Sequence, residues 1–204
     1  MKVKTASFGS MQNNCYLIAD DKTNASALID CPEYNEKMIG LIGDTELRYI
    51  LLTHGHYDHI GGLRKVKEKY GCKIAVSEAD APMLASGRLS LGAFCGVSNP
   101  KVYPDMILSD GDKIILGDTE ISVIATPGHT KGGLCFLAED YLFTGDTLFF
   151  CSCGRTDFPG GNANEMAESL RKLKSLPGNL NVMTGHDRQS SLDFERNNNP
   201  YMKL

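Results

Sequence analysis

Leu51-Leu52-Thr53-His54-Gly55-His56-Tyr57-Asp58-His59-Ile60-Gly61-Gly62 is the stretch around which this 204-residue chain is organised. The apolar run from Tyr49 to Leu52 predicts a buried strand. It leads directly into six residues that carry three histidines and one aspartate. Imidazoles and a carboxylate packed this densely at a strand end suit a hard-to-borderline divalent metal. In extended backbone, positions two apart share a side, so His54, His56 and Asp58 are expected at one locus. His59 then faces elsewhere, toward a second ion. The bland alternative is a histidine-rich surface loop. Against it, the chain has five histidines in all, and the other two also stand in glycine-flanked turns after apolar runs. These are Thr126-Pro127-Gly128-His129-Thr130 and Met183-Thr184-Gly185-His186.

The bulk composition narrows the partners. A net charge of -4 and a pI near 5.7 argue against non-specific nucleic-acid binding, which needs a basic footprint. Met1-Lys2-Val3-Lys4-Thr5 shows no apolar signal region, and no apolar run approaches the roughly 20 residues of a membrane span. The seven cysteines are scattered without a Cys-x-x-Cys pair, which predicts free thiols in a reducing cytoplasm. Cys15, Cys31, Cys72 and Cys135 sit in or beside apolar runs and are expected as small core residues. Cys151 and Cys153 are expected to pack near the site, with a third metal site or a redox pair as the alternative.

Outward from the central stretch, alternating segments at Val3–Phe8, Cys15–Ala19 and Ala25–Ile29 predict an antiparallel meander. Asp30-Cys31-Pro32-Glu33 resembles a helix start, with the helix running to Ile42 and stopping at Gly43. Ile60 to Tyr70 has apolar residues at helical spacing and predicts one helix, closed by Gly71. Lys73–Val76 follows as a strand, with a helix beginning at Ser77-Glu78-Ala79-Asp80. Gly87 to Pro104 loses its periodicity and is expected to be a long loop bordering the site. Beyond it come a turn-rich β segment at Ile107–Leu116, a strand at Glu120–Thr126, and a hairpin of Gly133–Ala138 with Tyr141–Phe143. Helix Glu165–Leu176, strand Leu180–Met183 and a short helix Ser190–Asn197 complete the chain. With no repeat or linker, residues 1–204 are expected to form a single domain. Four strand ends deliver metal-type side chains: His54 to His59, His129, Asp146 and His186. Two facing sheets with helices outside would gather them on one rim.

Taken in order, these pieces resemble the metallo-β-lactamase superfold, and within it the glyoxalase II-like, or hydroxyacylglutathione hydrolase-like, branch. The resemblance rests on Thr53 to Gly62, Thr126 to Thr130, Thr144-Gly145-Asp146-Thr147-Leu148-Phe149, Gly154-Arg155-Thr156-Asp157, Gly185-His186, and the tail from Glu195 to Tyr201. It implies an α/β fold of the α+β kind, a four-layer αβ/βα sandwich. It further implies that His54, His56 and His129 bind one metal, that Asp58, His59 and His186 bind a second, and that Asp146 bridges them. The chain ends soon after the core, as in short single-domain members. The lysine that contacts glutathione in that branch corresponds here to Arg155, which could meet a substrate carboxylate or pair with Asp157. Two tyrosines of the glutathione site are replaced by Asp157 and Arg188.

The expected function follows from that resemblance. It is a metal-dependent, binuclear hydrolase cleaving a thioester of the S-2-hydroxyacylglutathione type with a metal-bound hydroxide, which Asp58 orients. The expected cofactors are two divalent ions, zinc first, with iron or a mixed pair as the alternative. The expected partner is a small-molecule thioester or related acyl compound, with no nucleic acid and no membrane. The competing expectation is a persulfide dioxygenase of the same fold working with a single iron.

Overall fold

Each buried strand of this protein alternates between two apolar faces, and that alternation generates the layers. The structure, a computed structural model, describes residues 1–203; Leu204, the last residue of the expected domain, lies outside them. The first sheet comprises β1 (Lys2–Phe8), β2 (Asn13–Ala19), β3 (Ala25–Ile29), β4 (Glu46–Leu51), β5 (Lys73–Ser77) and β6 (Met106–Leu108), in that spatial order. β1 to β3 pair antiparallel, as the meander pattern predicts, and β3 to β6 pair parallel. The second sheet is built from β7 (Lys113–Leu116), β8 (Thr119–Ala125), β9 (Leu134–Ala138) and β10 (Tyr141–Gly145). The small ribbon of β11 (Leu148–Phe149) and β12 (Ser152–Cys153) intervenes before the last two strands, β13 (Asn181–Thr184) and β14 (Ser190–Ser191). The spatial order is β14-β13-β10-β9-β8-β7.

Between the sheets pack Tyr16, Ile18, Ile29, Leu51 and Ala75 from one side, and Val123, Phe136, Phe143 and Met183 from the other. Their neighbours in sequence point the opposite way. Leu17, Leu28, Ile50 and Ile74 meet helices α1 (Glu36–Ile42) and α3 (Leu63–Tyr70); the one-turn α2 (Tyr57–Ile60) lies before the latter. Ile124, Cys135, Leu142 and Val182 meet α4 (Ala163–Lys174) and α5 (Leu192–Asn198). The result is helix, sheet, sheet, helix, the four-layer sandwich. Strands buried on both faces appear in sequence as continuous apolar runs, which is why Tyr49–Leu52 carries no polar alternation.

Several boundaries differ from the sequence reading, each for a local reason. α1 starts at Glu36, not near Asp30, because Asn35 takes the cap and accepts from Met38 N at 3.1 Å. The predicted helix Ile60–Tyr70 is broken by Gly61-Gly62. There the chain crosses the Cys31–Glu33 segment so closely that a Cβ on Gly62 would lie 2.6 Å from the Glu33 carbonyl. Cys31 N donates to His59 O and Gly62 N to Cys31 O, which locks the crossing. The helix expected from Ser77 is only a short 3₁₀ turn, Ala81–Ala85, since Asp80 is used elsewhere. β14 occupies the start of the last predicted helix. Among the described residues no helix is long and apolar enough to cross a membrane.

Candidate metal centre

The loops leaving β4, β8, β10 and β13 meet at one edge of the sandwich, and each brings polar side chains into an apolar surround. His54, His56, His59 and His129 are buried; Asp58, Asp146 and His186 are largely so. Ligand-capable atoms of His54, His56 and His129 lie within 4.8 Å of one another, as do those of Asp58, His59 and His186. A third group, His54, His59 and Asp146, joins the two. Asp146 stands between them, its Oδ1 at 3.4 Å from His59 Nε2 and its Oδ2 at 3.5 Å from His129 Nε2 and 3.6 Å from His186 Nε2.

All seven side chains singled out in the sequence therefore come together, but not in the grouping that period two predicts. Asp58 sides with His59 and His186, at 3.8 Å and 3.4 Å, not with His54 and His56. The extended conformation ends at His56, and α2 begins at Tyr57. From there each residue turns the chain by about 100° and not by half a turn, so Asp58 leaves the side of His54 and His56 and reaches the group of His59 and His186.

The outer edges of the rings are fixed by the protein. His54 Nδ1 lies 3.1 Å from Thr53 Oγ1, and His59 Nδ1 donates to Asp30 Oδ2 at 2.8 Å. His129 Nδ1 donates to the Arg155 carbonyl at 2.8 Å, and His186 Nδ1 to the Met11 carbonyl at 2.9 Å. Each of these four rings thereby presents Nε2 to the interior. His56 is reversed, with Nδ1 at 2.9 Å from His129 Nε2.

The interior atoms test whether a metal fits. Among the described residues, five buried side-chain polar atoms have no hydrogen-bond partner, and three of them face this interior: Nε2 of His54 and of His59, and Oδ1 of Asp146; a fourth, Nε2 of His56, is on the far edge of its reversed ring. Such atoms are costly to bury unsatisfied, and cations would satisfy them. Burial, reinforced by the neighbouring histidines, pushes His54 well below its usual range and His56 down to about 4, so both rings are neutral donors. Burial would raise the Asp146 carboxyl, but His59 overcomes it and holds the group ionised. The same contest at Asp58, with His59 and His186 opposing burial, also ends below the usual carboxylate range. Imidazole and carboxylate donors in these numbers fit two borderline divalent ions sharing a carboxylate.

Two buried aspartates that the sequence reading assigned to helix starts organise the ligand loops. Asp30, at the end of β3 with φ 61°, accepts from Thr53 N, Thr53 Oγ1 and His59 Nδ1, all at 2.8 Å. Asp80 accepts from Gly55 N, Thr130 Oγ1 and Gly132 N, tying the His54–His56 turn to the His129 turn. The signal available for Asp30 was its place directly after an apolar run, the same placement the ligands have. Gly185 is required by close approach, since a Cβ there would lie 2.4 Å from Asp146 Oδ1.

The cluster forms the floor of a cavity of about 770 Å³. Arg155 lies on its wall in a bidentate pair with Asp157, both hydrogen bonds 2.7 Å, and its guanidinium stacks 3.9 Å above the Phe158 ring. Of the two sequence readings for Arg155, the ion pair is the arrangement present. Arg188 is not on this wall; it stacks on Phe150 at 3.5 Å. All seven cysteines are free thiols. Cys153 borders the cavity and packs on the apolar layer under α4, so packing accounts for it.

Comparison with known proteins agrees with this architecture. The family model described as "Metallo-beta-lactamase superfamily" matches residues 9–186. Hydroxyacylglutathione hydrolase GloC of Haemophilus influenzae is 32% identical over 209 residues, covering 99% of this chain and 98% of that protein. The crystal structure of BLEG-1 B3 metallo-beta-lactamase superposes with a TM-score of 0.93 at 27% identity, covering both chains fully (100% of each). That of TTHA1623 in a di-iron-bound form gives 0.85 at 32% identity, over 97% and 99% of the two chains.

Proposed function

This chain belongs to the metallo-beta-lactamase superfamily, and from that premise we propose that it is a binuclear metal-dependent hydrolase that cleaves thioesters. The observation that carries the reading is the meeting of two donor sets at Asp146, on the floor of one cavity. His54, His56 and His129 would hold one ion, Asp58, His59 and His186 the other, and Asp146 both. Bound there, a pair of zinc or iron ions supplies Lewis acidity toward a carbonyl oxygen and lowers the pKa of a water.

The protein's own groups supply the rest. Asp58, kept ionised beside His59 and His186, accepts a proton of the attacking water and aims its lone pair at the carbonyl carbon. Asp30 and the Met11 carbonyl keep His59 and His186 from rotating, so the geometry costs no reorganisation during reaction. The apolar wall excludes bulk water and strengthens the electrostatic interactions inside. A thiolate is a good leaving group and needs little acid assistance. The seven free thiols support a reducing, cytoplasmic setting, and the acidic balance supports a small molecule over nucleic acid as partner.

The test combines three measurements on one preparation: elemental analysis, S-lactoylglutathione hydrolysis, and oxygen uptake with glutathione persulfide. Two metals per chain with thioester cleavage and no oxygen uptake are expected. One iron per chain with oxygen consumption and no hydrolysis would replace this reading by the dioxygenase.

A further inference from the structure

We infer that the thioesters this chain cleaves carry an apolar acyl group, aliphatic or aromatic, rather than the small hydroxylated acyl group and carboxylate-bearing thiol of a glutathione conjugate. The inference rests on the thioesterase reading and names the substrate class for that site.

Three observations point the same way. The first is the wall above the metal cluster, where Met11, Leu91, Phe94, Phe149, Phe158 and Pro159 face the cavity. Three are aromatic, and no hydroxyl or amide side chain other than Ser152 and Tyr57 interrupts them. A volume of about 770 Å³ is in the range of pockets that enclose whole small ligands, which leaves room for a long acyl arm beside the thiol carrier. The second is exposure. Phe94 is 73% exposed and Met11 55% exposed, an apolar mouth left facing water until something covers it. Phe94 sits on the 3₁₀ turn Gly92–Cys95, entered through Leu91 at φ 67°, so the segment's backbone is bent to present this surface beside the cluster. The third is charge. Among the described residues Arg155 is the one Lys or Arg on the wall, and Asp157 already holds it through two hydrogen bonds. A substrate carboxylate would have to displace Asp157 to reach it. The usual thiol carriers are polar, so the apolar arm of a thioester is its acyl group, and that arm matches this wall.

The reaction is ordinary hydrolysis. The water oxygen bonds to the carbonyl carbon, the C–S bond breaks with its electron pair on sulfur, and one water proton passes to the thiol while the acid ionises.

The experiment uses the metal-loaded full chain and acetyl, butyryl, hexanoyl and octanoyl thioesters of N-acetylcysteamine, a small uncharged thiol. The expected result is a rise in kcat/KM of about threefold to fourfold per methylene until the cavity is filled, the factor that burying one CH₂ supplies. A flat or falling series, with cleavage intact, overturns the inference and leaves the thioesterase reading standing. Calorimetric binding of the matching S-alkyl thioethers, which cannot be hydrolysed, gives a second reading that needs no turnover. Affinity rising with alkyl length is expected, and affinity independent of length overturns the inference whether or not the chain is a thioesterase. Phe94→Ser, at a position exposed enough to spare the fold, should flatten the dependence on length in both measurements. An unchanged slope in that variant would remove Phe94 from the site.

Discussion

Asp30 Oδ2 receives the Nδ1 proton of His59 at 2.8 Å, although the two residues stand 29 positions apart and neither is solvent-exposed. The same carboxylate takes both the amide and the hydroxyl of Thr53, so one side chain anchors the start of the ligand loop and orients its last histidine. With both oxygens engaged by donors, an amide at this position would point its NH₂ at another donor. Asp30→Asn should therefore weaken metal binding by about 10- to 100-fold, the usual cost of losing an outer partner of a ligating histidine. Competition against a chromophoric chelator measures it, with circular dichroism to verify that the fold survives. Unchanged affinity would show that His59 needs no anchor.

Asp58 has a place in the second donor set and access to the cavity and, unlike Asp146, does not stand between the two sets. On the proposed reading its replacement removes both a donor to the second ion and the group that takes a proton from water, while the apolar wall is untouched, so metal content is measured alongside turnover. Asp58→Ala is expected to lower kcat by about 100-fold or more, the range of general-base losses, with KM moving by much less. A raised KM with kcat unchanged would mean that Asp58 serves substrate binding and not the chemical step.

Glu195 is fully buried on α5 and has no cation among its hydrogen-bond partners. Its Oε2 accepts from Cys151 N and from Asn199 Nδ2, and its Oε1 from Ser190 Oγ. Asn199 in turn donates to the Phe149 and Ser152 carbonyls. Together they clamp the hairpin that follows Asp146, including Cys151 at φ 51°. Glu195→Ala strands these donors and should cost about 3 kcal/mol of unfolding free energy. Urea denaturation is the measurement, and a loss under about 0.5 kcal/mol, the size of a neutral surface change, would mean the hairpin holds itself.

What could be seen in advance divides along physical lines. Apolar runs and their flanking turns report burial, and burial is what builds layers, so Tyr49–Leu52 is legible as a buried strand and Tyr141–Phe143 as one arm of a hairpin. The candidate ligands are legible as a set and not singly, because all five histidines stand in turns after apolar runs and three of them fall within six residues. Asp30 and Asp80 are not, since a single aspartate after a strand looks the same whether it caps a helix or holds a loop 20 or more residues away. The break at Gly61-Gly62 was hidden for a similar reason. It is set by the approach of Cys31–Glu33, a contact that exists only in the folded chain.

The Arg155–Asp157 pair makes the last prediction, because it turns the charge of the wall into an adjustable quantity. Arg155, through its hydrogen bonds to Asp157, holds that carboxyl down to about 2, below its ordinary 3.8. A depressed acid keeps its pairing above its unfolded value and loses it only as pH falls through the folded one, so the pair persists from pH 4 upward. Asp157→Asn removes the competing anion and leaves Arg155 over the Phe158 ring, free to meet a substrate carboxylate. The variant should lower KM for S-lactoylglutathione by a few-fold at most, as befits a solvent-exposed ion pair, and the effect should fade as salt is raised. The same change should leave KM for uncharged acyl thioesters where it was. If Asp157→Asn raises KM for the anionic substrate instead, Asp157 is positioning Arg155 for recognition and not occupying it.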